Sequence, residues 1–319
     1  MLWFAVYLEK PEKKRDARLK FLESVFFPPF VGGVILKVEI ISTVAELSEV
    51  VQGLRKSCRT IGVVPTMGAL HEGHLSLVRA SLAENDETIA TIFLNPTQFA
   101  PQEDLSRYPR TLESDIEQLA AEGIGYVFAP NQEEVYPADF TTSITPPAVA
   151  RRLEGEFRPT HFGGVVTVVL KLLNMTCADR AYFGQKDYQQ AMVIRQMVRD
   201  LNVPTEVKVC PIVRDTDGLA LSSRNVFLSP EQRAIALSLN KTLLHVEAQI
   251  QSGQRDGFEV VTEMRQMLID SGVERIDYAI IAHPDSLEMA DPIVLPAVAL
   301  IAAYVGETRL IDNRVFSEG

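Results

Sequence analysis

The feature that most restricts this chain's fold is the stretch 60–94. There an apolar run (TIGVVP, 60–65) leads through a turn (TMGALHEG) into a helical period over 74–84 and a second β-branched run (ETIATIFL, 87–94). That order and length describe a βαβ unit, whose strands lie parallel because the helix returns the chain across one face of the sheet. The alternation continues with a helix over 112–122, a strand at 126–128, an apolar helix over 164–176, a strand at 180–183, a helix over 188–199 and a strand at 205–213. Its sum is an α/β domain with a doubly wound parallel sheet, Rossmann-like in plan. Ligands of such sheets sit outside the carboxyl ends of the strands, so the loops leaving those ends are where functional residues are sought.

After the turn signal Asp215-Thr216-Asp217-Gly218 the pattern changes to two helical stretches, 230–252 and 257–271, and two short strands, 276–282 and 298–304. This predicts a second, smaller α+β domain over 213–319, beside a nucleotide-binding domain over 38–212. Residues 1–37 read as an N-terminal extension. Their apolar run, 21–36, is broken by Pro28-Pro29 and Gly32-Gly33 and is too short to span a bilayer. The charged segment before it contains acids and no small-residue cleavage site follows, which makes a poor signal peptide.

A formal net charge of −11 and a pI near 5.1 exclude a broad electropositive surface, so neither nucleic acid nor an anionic membrane is expected as primary partner. Any phosphate site must be local. Cys58, Cys177 and Cys210 are odd in number, far apart and without metal-ligand spacing, which points to reduced thiols in a cytoplasmic protein.

Five loop segments hold the unusual residues. The first strand runs through PTMG into HEGH, placing His71 and His74 at the amino end of a helix, where anions bind. Imidazole N–H groups there suit phosphate oxygens; zinc ligands would want i,i+4 spacing and a third partner, and two exposed histidines without a role are the remaining alternative. The second strand ends in NPTQF, whose Asn95 and Gln98 suit a polyol or a carboxylate, or else satisfy the loop's own backbone. In RPTHF, Arg158 and His161 precede an apolar helix, as a second anion contact or as an ion pair and a cap. GQKDYQQ brings Lys186 off the sheet's carboxyl end, where a cation can neutralise charge developing on a phosphoryl group. DGLALSSRN offers Ser222, Ser223 and Arg224, a set fitted to polyphosphate, although an interdomain linker is the plainer reading.

Taken together, PTMGALHEGH, NPTQF, RPTHF, GQKDYQQ and DGLALSSRN, in this order and spacing, closely resemble the pantothenate synthetase family of the HxGH nucleotidyltransferase-like superfamily. The resemblance runs from about Val38 to the carboxyl terminus. It implies a ligase that activates pantoate with ATP as an acyl adenylate and passes it to β-alanine. It also implies that His71, His74, Lys186, Ser222 and Arg224 act on the ATP phosphates, and that Met67, Gly184, Gln185, Asp187, Val213, Leu221 and Ser223 line the nucleotide site. Gln98, Gln190 and Asn95 would hold pantoate, with Arg158 and His161 as further active-site positions. An Mg²⁺ ion bound with the phosphates, with Asp115 as candidate ligand, a homodimer and a lid formed by 213–319 complete the implied picture.

The chain departs from the family pattern in its first 37 residues and in Leu221, where methionine is frequent. Other HxGH readings are a nucleotidyltransferase, a class I aminoacyl-tRNA synthetase, for which a KMSKS-type loop is missing, and a nucleotide sensor that binds ATP without consuming it.

Overall fold

The computed structural model describes residues 38–99, 105 and 108–318. The extension expected at 1–37 lies outside the described residues.

Six parallel strands form the larger sheet: β1 (Glu39–Ile41), β2 (Ile61–Thr66), β3 (Glu87–Ile92), β4 (Tyr126–Phe128), β5 (Arg180–Gly184) and β6 (Glu206–Cys210), in the spatial order β1-β4-β3-β2-β5-β6. The strands are short apolar runs because helices cover both faces. The helices are α1 (Val44–Lys56), α2 (Glu72–Glu84), α3 (Leu112–Ala121), α4 (His161–Thr176) and α5 (Tyr188–Asp200). One apolar cluster joins Val63, Ile89 and Ala181 to Leu47, Val166 and Ile194; a second, on the opposite face, joins Val64, Ala90 and Tyr182 to Leu77, Val78 and Leu119.

The chain moves from β2 to β3 and β4 on one side, then crosses back to place β5 on the other. The point where the strand order reverses therefore lies between β2 and β5. The β2–β5 ladder is recorded only for Gly62 and Val63, ahead of Pro65, which has no N–H to give. A crevice at the carboxyl ends of β2 and β5 is the consequence.

The smaller sheet is antiparallel, β7 (Arg275–Ala282), β8 (Ala297–Val305) and β9 (Thr308–Phe316), where the sequence pattern predicted two strands. Strand β8 is buried along nearly its whole length because both of its faces are covered. Ala299 and Ile301 meet α6 (Pro230–Gln251) and α7 (Gly257–Asp270) through Leu243 and Met264, while Val298, Leu300 and Ala302 meet Tyr188 and Met192 of α5 and Leu153. The second sheet is thus packed against the first unit by an apolar layer.

Other bounds shift for local reasons. Helix α2 starts at Glu72 because His71 caps it, α4 starts at His161, and β6 stops at Cys210, after which 213–221 folds into a hairpin of its own.

Candidate active site

Two histidines shape the start of α2. The Nδ1 of His71 accepts the Gly73 N–H at 3.1 Å, and the Nδ1 of His74 accepts the His71 N–H at 3.3 Å, a reciprocal capping box built from imidazoles. With both Nδ1 atoms used as acceptors, each neutral ring carries its proton on Nε2. Burial, aided by the nearby Lys186 and opposed by Asp187, holds the His71 imidazole below the usual histidine range. Burial, with His71 as the next cause, lowers His74 to about 3. The pair is therefore neutral at pH 7 and supplies N–H donors rather than charge. Gly73 is required by this arrangement, since a Cβ there would lie 2.9 Å from His71 Cε1.

The turn after β3 is held from several sides. Asn95, almost fully buried, donates from Nδ2 to Gln98 Oε1 (3.1 Å) and to the Gly164 carbonyl (3.2 Å), and its Oδ1 accepts the hydroxyls of Thr97 (2.9 Å) and Tyr136 (3.0 Å). Asn95 thus supports the turn. Gln98, also buried, donates from Nε2 to the Met67 sulfur at 2.8 Å; a thioether is a weak acceptor that a ligand oxygen replaces at small cost. His161, the first residue of α4, donates from Nδ1 to the Gln98 carbonyl at 3.0 Å, so its tautomer is the opposite of that of His71 and His74. Arg158 lies 3.9 Å from Glu154.

Lys186 follows β5 in a turn over Gln185–Asp187, on the far side of the crevice from His71. Its Nζ is 3.9 Å from the Asp187 carboxylate. The hairpin 213–221 is closed by Leu221 N–H donating to Val213 O (3.0 Å) and Asp215 N–H donating to Leu219 O (2.8 Å). It delivers Ser222, whose Oγ accepts the Arg224 N–H at 3.3 Å and starts a helical turn over Ser223–Phe227. Leu221 sits 3.9 Å from the position a Gly73 Cβ would take, so this loop lies beside the amino end of α2. Tyr108, not singled out from the sequence, has its hydroxyl close to Ser223, Arg224 and Asp187.

A cavity of about 740 Å³ opens here. Arg158, His161, Lys186, Asp187, Gln190, Ser222 and Arg224 line it from the first unit and the hairpin; Tyr278, Tyr304 and Arg309 line it from the second sheet. Met67, His71, His74, Asn95 and Gln98 are not among the residues that line this cavity. Gly184 precedes the Lys186 turn at the end of β5.

Asp115, the candidate Mg²⁺ ligand of the sequence, lies against the turn between β2 and α2. Its buried carboxylate accepts the N–H groups of Ala69 (3.0 Å) and Leu70 (2.8 Å) and the Thr111 hydroxyl (3.1 Å). Ala69 has φ 52° and Gly68 φ 85°, so the turn between β2 and α2 exposes amides inward, and Asp115 neutralises them. The carboxylate thereby braces the His71 loop. Among the described residues no group of three His, Cys, Asp or Glu side chains is arranged to hold an ion.

Comparison with known proteins agrees with the fold. The family model described as pantoate-beta-alanine ligase matches residues 39–315. The chain belongs to the pantoate-β-alanine ligase family. A ligase of this family from a Roseiflexus species, pantothenate synthetase, is 50% identical over 276 residues, 86% of this chain and 98% of that one. The crystal structure of pantothenate synthetase from Thermus thermophilus superposes with a TM-score of 0.82 at 44% identity, covering 87% of this chain and 99% of that chain. The Francisella tularensis ligase, solved with beta-gamma ATP and β-alanine, gives a TM-score of 0.73 at 36% identity, covering 88% and 98%.

Proposed function

We propose that this chain joins pantoate to β-alanine at the expense of ATP, in two steps through an enzyme-bound pantoyl adenylate. The observation that carries the reading is the meeting, at the switch point of a pantoate-β-alanine ligase fold, of two neutral imidazole donors, Lys186 and the Ser222–Arg224 turn.

In the first step a pantoate carboxylate oxygen bonds to the α-phosphorus of ATP while the bond to the bridging oxygen breaks and diphosphate leaves. No protein nucleophile is needed, so the residues position and neutralise. Lys186 and Arg224 supply positive charge, the Nε2–H groups of His71 and His74 donate to phosphate oxygens, and Ser222 and Ser223 add hydroxyls. Gln98 and Gln190 hold the hydroxyl end of pantoate, with Asn95 fixing Gln98; Arg158 and His161 stand at the same end. Gly184, Gln185, Asp187, Met67, Val213 and Leu221 form the nucleotide's surroundings.

Mg²⁺, when bound, neutralises diphosphate charge; with no ready cage among the described residues, it would be held by phosphate oxygens and water, with Asp187 as the adjacent carboxylate.

In the second step the β-alanine amine bonds to the acyl carbon, the carbon–oxygen bond to phosphate breaks, AMP leaves, and the ammonium proton passes to water. The second unit walls the cavity and acts as the lid that shields the anhydride. Hydrolysis of the bound adenylate as fast as of the free compound would count against that shielding. The family resemblance supports a homodimer and three unpaired thiols support a cytoplasmic location; sedimentation at micromolar concentration checks the dimer and cell fractionation the location.

The test is pantoate-dependent exchange of labelled diphosphate into ATP without β-alanine, run against a panel of other carboxylic acids. Exchange with pantoate alone is expected, and Lys186→Ala should lower it roughly 100- to 1000-fold, leaving a measurable residual rate. Exchange with a different acid overturns the substrate, and silence across the panel overturns the adenylate chemistry.

A further inference from the structure

We infer that Asn313 of β9, backed by Asp312, is the positioning residue for Lys186, an inference that rests on the ligase reading above. Asn313 is about 1% exposed, and its one amide group is fully used. Nδ2 donates to the Gln185 carbonyl and to the Lys186 carbonyl, each at 2.9 Å, and Oδ1 accepts from Gln185 Nε2 at 3.1 Å. Those two carbonyls belong to the peptide units on either side of the Lys186 Cα. A single side chain from the second sheet therefore fixes both peptide planes that set the direction of the lysine's Cα–Cβ bond.

The turn needs this outside partner. Gln185–Asp187 has no side-chain cap, and a buried carbonyl without a donor costs about 1–3 kcal/mol. An asparagine amide offers two hydrogens at fixed spacing and one acceptor, which matches the three groups found here. No apolar residue of that size does.

Asp312 extends the hold to the other cationic loop. Its Oδ1 accepts the Asn313 N–H at 2.8 Å, and its two oxygens take Arg214 Nη2 (2.8 Å) and Nη1 (2.7 Å). Arg214 is in the hairpin that delivers Ser222 and Arg224, and its Nη1 also reaches the Gly218 carbonyl at 3.2 Å. Two adjacent residues of β9 thus tie the Lys186 turn to the Ser222–Arg224 turn and set the spacing of the two cations offered to one polyphosphate.

Small misplacement of such a group is costly: an error of about 1 Å can lose roughly 100-fold in rate. If Asn313 acts through Lys186, its loss must be felt in the step that needs the lysine and must vanish when the lysine is gone. The experiment measures pantoate-dependent diphosphate exchange and, separately, single-turnover transfer of preformed pantoyl adenylate to β-alanine. Both are run for wild type, Asn313→Ala, Lys186→Ala and the double variant, with folding followed by circular dichroism.

Asn313→Ala is expected to lower exchange kcat roughly 10- to 100-fold, with pantoate KM and the transfer step within about twofold. In the Lys186→Ala background the same change should cost less than about threefold. Equal losses in both backgrounds, or equal losses in exchange and transfer, overturn the inference. Should Asn313→Ala not fold, Asn313→Asp, which keeps the size and the acceptor for Gln185 Nε2 but removes both donors to the Gln185 and Lys186 carbonyls, must show the same selective loss of exchange. An unchanged exchange rate there overturns it as well. Absence of pantoate-dependent exchange in wild type removes the ligase reading itself, a result distinct from additive losses on an active wild type.

Discussion

The Glu154 carboxylate receives both terminal nitrogens of Arg309, Nη2 at 2.7 Å and Nη1 at 2.9 Å, and so joins the short helix before the RPTHF segment to β9 of the second sheet. Tyr278 donates its hydroxyl to the same carboxylate at 2.8 Å, and Asp277 takes Arg309 Nε at 2.7 Å. The four side chains form one satisfied network at the junction of the two units. Breaking a buried pair from one side leaves a charge without a partner, which costs about 3–5 kcal/mol, whereas removing both partners together is much milder.

Arg309→Met is accordingly expected to lower unfolding free energy by about 2–4 kcal/mol, a range set slightly below the fully buried case because the side chains are not entirely enclosed. Glu154→Gln combined with Arg309→Met should recover part of that loss. Urea unfolding of the three proteins checks it, and a double variant no better than the single one contradicts the network.

Lowered histidine pKa values make stability depend on pH in a definite direction. His71 and His74 resist protonation when folded, while in the unfolded chain they take up protons near pH 6.5. Between the unfolded value and the folded one the unfolded state binds more protons, so stability is complete above about pH 6.5 and falls as pH drops from there toward about 3 for His74. The slope approaches about 1.4 kcal/mol per pH unit per group. In His74→Asn the amide keeps an acceptor near the Nδ1 position, and the slope measured by urea unfolding from pH 7 to pH 5 should flatten. An identical slope in the variant would show that the drop has another source.

Much of this fold was legible in the chain, for a physical reason that also explains what was missed. Buried parallel strands such as β2 and β3 are continuous apolar runs, and helices between them show one apolar face, so the βαβ unit could be read directly. Strand β9 could not, because its sequence TRLIDNRVF buries Asp312 and Asn313 and half-buries Arg309, a setting that only cross-unit partners make tolerable. Each of those partners, Glu154, Arg214 and Gln185, lies about a hundred residues or more away in the chain, and no local pattern reports such a pairing. The loop motifs were visible through their unusual residue types. Asn95 and Asp115 were legible as a pantoate contact and a candidate Mg²⁺ ligand, while the loop bracing that both supply depends on burial and on partners distant in the chain.

Asp115 supplies a prediction on that distinction. Asp115→Asn turns one acceptor into a donor facing the Ala69 or Leu70 N–H, a loss of about 1–3 kcal/mol with a disordered His71 loop. The melting temperature should fall by the same amount in EDTA and in Mg²⁺, and the Mg²⁺ concentration giving half-maximal exchange should stay within about twofold of wild type, since a braced loop is not a metal ligand. A large rise in that concentration at unchanged melting temperature would return Asp115 to the role of ligand.

The neighbouring glycines Gly163 and Gly164 of α4 separate stability from substrate binding. A Cβ at Gly163 meets nothing within 4 Å, so Gly163→Ala gains helix propensity and should stabilise by about 0.5–1 kcal/mol with ordinary kinetics. A Cβ at Gly164 would lie 2.4 Å from the Thr97 carbonyl oxygen and 2.5 Å from the Gln98 nitrogen, both backbone atoms that can yield only if the whole turn moves. The same turn is pinned to α4 by Asn95 Nδ2 on the Gly164 carbonyl and by His161 on the Gln98 carbonyl, so the displacement passes directly to the Gln98 side chain. Gly164→Ala should therefore raise pantoate KM about tenfold or more while ATP KM stays within about twofold, because His71, Lys186 and Arg224 belong to other loops. Equal rises in both KM values would mean that the turn supports the entire site and that Gln98 has no special relation to pantoate.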